Sequence, residues 1–295
     1  MRTPPHAMVA LVTPFDEAGD IDIGAHRHNL ETLHERGIRG FLIGGSTGEG
    51  PYLEPGERLG LVAVAREVLG DGPFILSGVN AESVRQALAQ SAEAAEAGAD
   101  AVLALTPTTL VRGRADAVID FYEGVADEAG LPVLLYTMGR VAGYELDVET
   151  STHLAAHGNI VGLKDSNGNP TRLQEVAASA PDDFYVFCGA SRAVALSIEG
   201  GAWGAITASA NYAPTLLGEV VTSARKSARR AADAQERLGG LARVVESRGL
   251  AGIKLAAKIS GLRPGRSRRP LPGLAAADEA TLRRSLEAMR RQVLA

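Results

Sequence analysis

Short apolar runs alternate with long amphipathic segments along almost the whole chain, and that alternation limits the fold more than any other feature. It predicts strands over Val9–Val12, Gly40–Ile43, Phe74–Ser77, Ala101–Leu105, Val133–Tyr136, Ile160–Lys164, Tyr185–Cys188 and Trp203–Thr207. Between them, helices are predicted over Ala25–Arg36, Glu57–Leu69, Glu82–Ala97, Ala115–Ala129 and Thr171–Ala178. Parallel pairing is implied, because parallel neighbours need a crossover of about a dozen residues. An open doubly wound sheet and a closed (β/α)8 barrel both satisfy this pattern. The count and even spacing of the strands favour an α/β fold of the (β/α)8 TIM-barrel type, and no Gly-x-Gly-x-x-Gly follows the first strand. Such a series is complete near Asn211–Pro214. The remainder reads as helix over Leu216–Leu238, Leu241–Ile259 and Asp278–Leu294. The expected organisation is a catalytic barrel over residues 1–214 followed by a C-terminal helical region over 215–295.

A chain of 295 residues, 45% hydrophobic, is long enough to bury such a core. No apolar run approaches the roughly 20 residues of a membrane helix, so no membrane partner is expected. The opening MRTPPHAMVALVTPF lacks a small-residue cleavage site, so no signal peptide is expected either. With Cys188 as the single cysteine, an intramolecular disulfide is excluded and a cytoplasmic location is expected. The net charge of −5 argues against a nucleic-acid partner, though not against an anionic substrate at a locally positive site. The one basic run, Arg263–Pro270, reads as a solvated Pro/Gly loop.

A barrel of this type places catalytic residues at the C-terminal ends of its strands. Lys164 ends the sixth predicted strand after an otherwise apolar run. A lysine there is paired, at the rim, or kept neutral for chemistry, and a neutral lysine amine attacks ketones to form Schiff bases. Strand parity sets Ile160, Gly162 and Lys164 on one face, with Val161 and Leu163 on the other. Tyr136 ends the neighbouring fifth strand, and Gly44-Gly45-Ser46-Thr47-Gly48-Glu49-Gly50 follows the second. Glycines this dense let backbone amides approach an anion, with two hydroxyls adding donors.

Competing motifs fail. Gly44-Gly45-Ser46-Thr47-Gly48 matches the serine-hydrolase pattern Gly-x-Ser-x-Gly, but Glu49-Gly50-Pro51 follows where a helix is needed, and no histidine occurs after His157. No Gly-Lys-Ser/Thr closes a P-loop. His26, His28 and His34 fit no metal-ligand spacing, His153 and His157 lack an evident third ligand, and all read as surface residues. Cys188 reads as a buried small hydrophobe and Trp203 as a packing residue.

The lysine after strand six, the tyrosine after strand five and the Gly-Ser-Thr-Gly-Glu loop after strand two together resemble the dihydrodipicolinate synthase/N-acetylneuraminate lyase family of class I pyruvate-dependent aldolases. The likeness extends through Ser77-Gly78-Val79, Ala97–Asp100, Thr106-Pro107, Gly162–Asp165, Gly189, Gly204–Ile206, Asn211, Pro214 and Ile253–Leu262. It implies a cofactor-free and metal-free enzyme that acts on pyruvate or a related 2-keto acid and assembles as a homo-oligomer, a dimer or tetramer. It further implies that Lys164 forms the imine, Tyr136 shuttles protons and Ser46 joins the hydroxyl relay. Thr47 and the Gly48 amide would hold the substrate carboxylate, and Gly45, Thr108, Arg140, Gly189 and Ile206 would complete the substrate site. An unperturbed lysine is only about 0.1% neutral near pH 7.4, so the chemistry requires desolvation inside the barrel.

Two departures bear on the reaction. Where synthases of this family often carry tyrosines after the Thr-Pro of strand four, this chain has Thr108-Thr109-Leu110. The synthases' arginine after strand five falls on Val141, with Arg140 one place early. Schiff-base lyase chemistry on a 2-keto acid is therefore expected ahead of 4-hydroxy-tetrahydrodipicolinate synthesis proper. A non-catalytic keto-acid-binding barrel and a serine hydrolase using Ser46 are the remaining readings.

Overall fold

The computed structural model describes residues 2–294, with side chains through residue 288. Its strands are β1 (Ala7–Ala10), β2 (Gly40–Ile43), β3 (Phe74–Val79), β4 (Ala101–Leu105), β5 (Val133–Thr137), β6 (Ile160–Asp165), β7 (Tyr185–Cys188) and β8 (Gly204–Thr207). They pair in parallel and in chain order, and β1 closes on β8. Every predicted strand is present, with boundaries displaced by no more than two residues.

The helices are α1 (Ile23–Glu35), α2 (Glu57–Leu69), α3 (Val84–Glu96), α4 (Ala115–Glu128), α5 (Gly139–Ala142), α6 (Val148–Ala155), α7 (Pro170–Ser179), α8 (Val194–Glu199), α9 (Pro214–Ala224), α10 (Ala228–Glu246), α11 (Gly249–Ile259) and α12 (Ala276–Leu294). Local chemistry sets several starts. Asp22, Ser83, Asp147 and Asn169 accept a backbone N–H as N-caps of α1, α3, α6 and α7, and Pro170 follows at the first helical position. Helices α5, α6 and α8 lie in stretches where no helix was predicted; all are short, and α5 has one turn.

Alternation divides the strand side chains between two buried layers. Met8, Ala10, Leu42, Leu76, Leu103, Leu134, Tyr136, Phe187 and Ile206 fill the barrel. Val9, Phe41, Ile43, Ile75, Val102, Leu135, Leu163 and Val186 face the helices. Strand β6 departs from the predicted parity. Val133 pairs with Ile160 but Leu134 pairs with Gly162, so one residue is inserted at Val161. The bulge sends Ile160 to the helix side and Val161 to the barrel side, while Gly162 and Lys164 keep the inward face.

The helix predicted over Leu216–Leu238 is two helices, broken at Arg225–Ser227, where Ser227 caps α10. Leu217, Val220, Val221 and Ala224 of α9 join the same buried layer as the barrel helices. We therefore propose that the barrel runs through α9 and that the C-terminal region begins at Ser227; Ala295 lies outside the described residues.

Two surface expectations are corrected. His26 is buried and its Nε2 lies 3.1 Å from the Leu61 carbonyl, because α1 turns that face onto α2. The basic run is a strap. Arg268 pairs with both Glu57 carboxylate oxygens at 2.6 Å, donates to the Gly19 and Tyr52 carbonyls, and stacks 4.2 Å from the Phe15 ring centre. Cys188 is buried, as expected, and Trp203 packs on His6 and Tyr185.

Candidate active site

Parallel register places the two central residues side by side. Tyr136 and Lys164 are partners across β5 and β6, both side chains point into the barrel, and both residues are buried. The Lys164 Nζ lies 4.3 Å from the centre of the Tyr136 ring. Among the described residues no carboxylate lies within ion-pair distance of Lys164; the adjacent Asp165 instead binds Arg172 Nε at 2.8 Å. Burying an ammonium with no counter-ion is costly, so a structural ion pair does not account for this lysine.

The Tyr136 hydroxyl accepts from Ser46 Oγ at 3.5 Å and Ser166 Oγ at 3.4 Å, and donates to Met138 Sδ at 3.3 Å. Burial alone would raise the phenol's pKa. The facing Lys164 and the Ser166 and Ser46 hydroxyls outweigh it and hold the phenol below its ordinary range. The phenol thus joins two serine hydroxyls in one hydrogen-bonded cluster that faces the lysine amine. Ser166 is the member of this set that the sequence reading did not assign; its position two residues beyond Lys164 was the available signal.

A cavity of about 830 Å³ opens over these groups, lined by Ser46, Thr47, Tyr136, Lys164, Gly189 and Ile206 among others. Gly189 leaves room there: a Cβ would overlap Ser166 Oγ and come within 3.0 Å of Lys164 Cε. Arg140 also lines the cavity, and Arg192 and Arg243 join it. None of the three arginines has a carboxylate partner among the described residues. Glu145 and Glu246 line the cavity too, so three arginines and Lys164 face two carboxylates, and the cavity carries more cationic than acidic side chains despite the acidic chain. Gly45 and Gly48 are buried behind the loop and do not line the cavity. A Cβ on Gly48 would press within 2.9 Å of the Leu11 carbonyl, so glycine lets the loop fold down onto the segment that follows β1. Thr108 is not brought to the cavity; its N–H and hydroxyl bind Glu82 instead. Arg243 and Glu246 of α10 and Leu250 and Ile253 of α11 form the far wall, a contribution to the site that the sequence reading did not assign to the C-terminal region. Among the described residues no group of three or more His, Cys, Asp or Glu side chains could hold a metal ion, and no helix is long and apolar enough to cross a membrane.

A closed eight-stranded barrel with a buried lysine facing a tyrosine at its strand ends defines the imine-forming class of (β/α)8 lyases. Comparison with known proteins is consistent with that class. The profile of the Dihydrodipicolinate synthetase family matches residues 4–289, and the chain belongs to this family. The chain is 32% identical over 283 residues to the 4-hydroxy-tetrahydrodipicolinate synthase of Acidiphilium cryptum, covering 95% of this chain and 96% of that one. It is 33% identical over 227 residues to the enzyme of the same name from Xanthomonas campestris, covering 77% and 75%. Among solved structures, the chloride-inhibited dihydrodipicolinate synthase of Acinetobacter baumannii complexed with pyruvate superposes with a TM-score of 0.92 at 28% identity, covering 97% of this chain and 99% of that one.

Proposed function

We propose that the protein is a class I lyase whose Lys164 forms an imine with pyruvate or a related 2-keto acid. The observation that carries this reading is a buried lysine without a carboxylate partner, 4.3 Å from the ring centre of Tyr136. The free amine attacks the C2 carbonyl, and the resulting carbinolamine loses water to give the protonated imine. Tyr136 relays the proton needed at the departing oxygen, through Ser46 or Ser166. The imine nitrogen then accepts the electron pair released when a proton leaves C3, and the enamine attacks an aldehyde carbon. The new alkoxide takes a proton, and water cleaves the imine to return Lys164. Run in reverse, the same steps break a carbon–carbon bond; loss of a hydroxyl beside the enamine gives dehydration. Thr47 and the loop amides near Gly48 are assigned to the substrate carboxylate, and Arg140, Gly189 and Ile206 to the surrounding pocket.

The names of the curated relatives favour a second reading, 4-hydroxy-tetrahydrodipicolinate synthesis, in which the aldehyde is aspartate semialdehyde. Thr108 in place of an aromatic hydroxyl, turned away to Glu82, weighs against it. On either reading the enzyme is cytoplasmic, works without nucleic acid, and assembles with copies of itself.

Borohydride reduction in the presence of pyruvate, followed by mass spectrometry, tests the central claim. The expected product is one pyruvate-derived adduct on Lys164, absent from K164M. Thermal stabilisation by pyruvate without any adduct would instead identify a keto-acid-binding barrel. Turnover of aspartate semialdehyde with pyruvate, measured against a panel of other aldehydes and keto-deoxy sugar acids, separates the two enzymatic readings.

A further inference from the structure

The loop assigned to the substrate carboxylate is fastened from below by the C-terminal region. Glu49, next in the chain after Gly48, is fully buried, and its Oε1 lies 2.5 Å from Nζ of the equally buried Lys254 on α11. Lys254 also donates to the carbonyls of Thr13 (2.8 Å) and Arg266. The second Glu49 oxygen accepts the Arg268 N–H at 2.8 Å, and Thr13 Oγ1 donates to the Gly48 carbonyl at 2.6 Å. Glu49 itself has φ of 57°, the one described non-glycine residue in the left-handed region. That conformation is unfavourable for a glutamate and persists only where its surroundings impose it. A buried ion pair is a poor source of stability compared with apolar packing, but a good means of fixing one geometry.

We infer that the Glu49–Lys254 pair is a positioning device: by holding Gly48 and Glu49 in place beneath the loop, it aims the cavity-lining Ser46–Thr47 segment at the substrate carboxylate. The inference rests on the proposed imine chemistry. Neither residue touches the substrate; both act through the loop.

The test compares wild type, E49Q, K254R and K254M in borohydride trapping with subsaturating pyruvate and with methyl pyruvate. The ester presents the same ketone without the negative charge. In E49Q and K254M the trapping rate with pyruvate is expected to fall at least tenfold while the ester rate changes little, so the preference for pyruvate collapses; K254R retains part of it. Should K254M fail to fold, E49Q still carries the comparison, because its amide oxygen keeps an acceptor for the Arg268 N–H. An E49Q enzyme that forms the adduct with an unchanged pyruvate-to-ester ratio, or loses both rates together, overturns the inference alone. Absence of any pyruvate adduct in the wild type overturns the proposed function, and this inference with it.

Discussion

Tyr136 and Lys164 occupy the same register position on adjacent strands, and the amine of one stands over the phenol ring of the other at 4.3 Å. The ring contact and the hydroxyl are separable. In Y136F the ring remains over Lys164 but the proton relay is cut. The kcat is expected to fall about 100-fold or more, the range of general acid–base catalysis, while the pyruvate adduct still forms, more slowly. Steady-state kinetics beside trapping checks this; an unchanged kcat would remove Tyr136 from the relay.

The depressed Tyr136 phenol has an opposite counterpart in three other tyrosines, Tyr122, which is buried, and Tyr144 and Tyr212, which are partly buried. Burial pushes Tyr122 and Tyr212 well above the ordinary range and Tyr144 up to about 12. Ultraviolet titration of wild type minus Y136F should therefore isolate one phenol that ionises below pH 10. In K164M the burial acting on this phenol is no longer opposed by the facing amine, so its transition moves upward. A transition that stays in place would mean that Lys164 does not set it.

Gly189 leaves the space that Ser166 and the Lys164 stem occupy. In G189A the added methyl displaces Ser166 Oγ from the Tyr136 hydroxyl. The expected cost is a tenfold or greater loss in kcat/KM, with a stability loss of about 1–3 kcal/mol from overpacking. Activity and urea denaturation, measured on the same preparation, distinguish the two effects.

His26 supplies a pH dependence. Burial lowers its pKa from 6.5 to about 4, the adjacent Arg27 adds to this, and the Leu61 carbonyl opposes it. The folded protein thus favours the neutral ring. That contribution is complete above pH 6.5 and is lost as the pH falls toward 4, because the unfolded chain binds the proton first. The difference corresponds to about 3 kcal/mol. Denaturation midpoints of H26Q should therefore change less than those of wild type between pH 6.5 and 4; parallel curves would contradict this.

Much of the barrel was legible because period-two and period-3.6 patterns survive in any single stretch of chain. Lys164 and Tyr136 were found by their place at strand ends, which the topology converts into proximity. What escaped depended on distant contacts. The bulge at Val161 is a property of the pairing with β5, not of the β6 sequence. The basic run looked solvated because Glu57, Phe15 and Gly19, which bind Arg268, lie about two hundred residues away or more. The division of α9 from α10 is a local break at Arg225–Ser227 that hydrophobic periodicity alone passes over. Thr108 was assigned by alignment of position, and Glu82 across the loop redirects it.

The far wall of the cavity comes from α10 and α11, whereas Lys164, the lysine proposed to form the imine, belongs to β6. The buried lysine and one wall of its cavity are thus supplied by different stretches of one polypeptide. A chimera joined at Arg225–Ser227, carrying the tail of another family member, should keep the ability to capture pyruvate while its aldehyde preference shifts toward the donor's, provided that the donor tail retains a cation to meet Glu49.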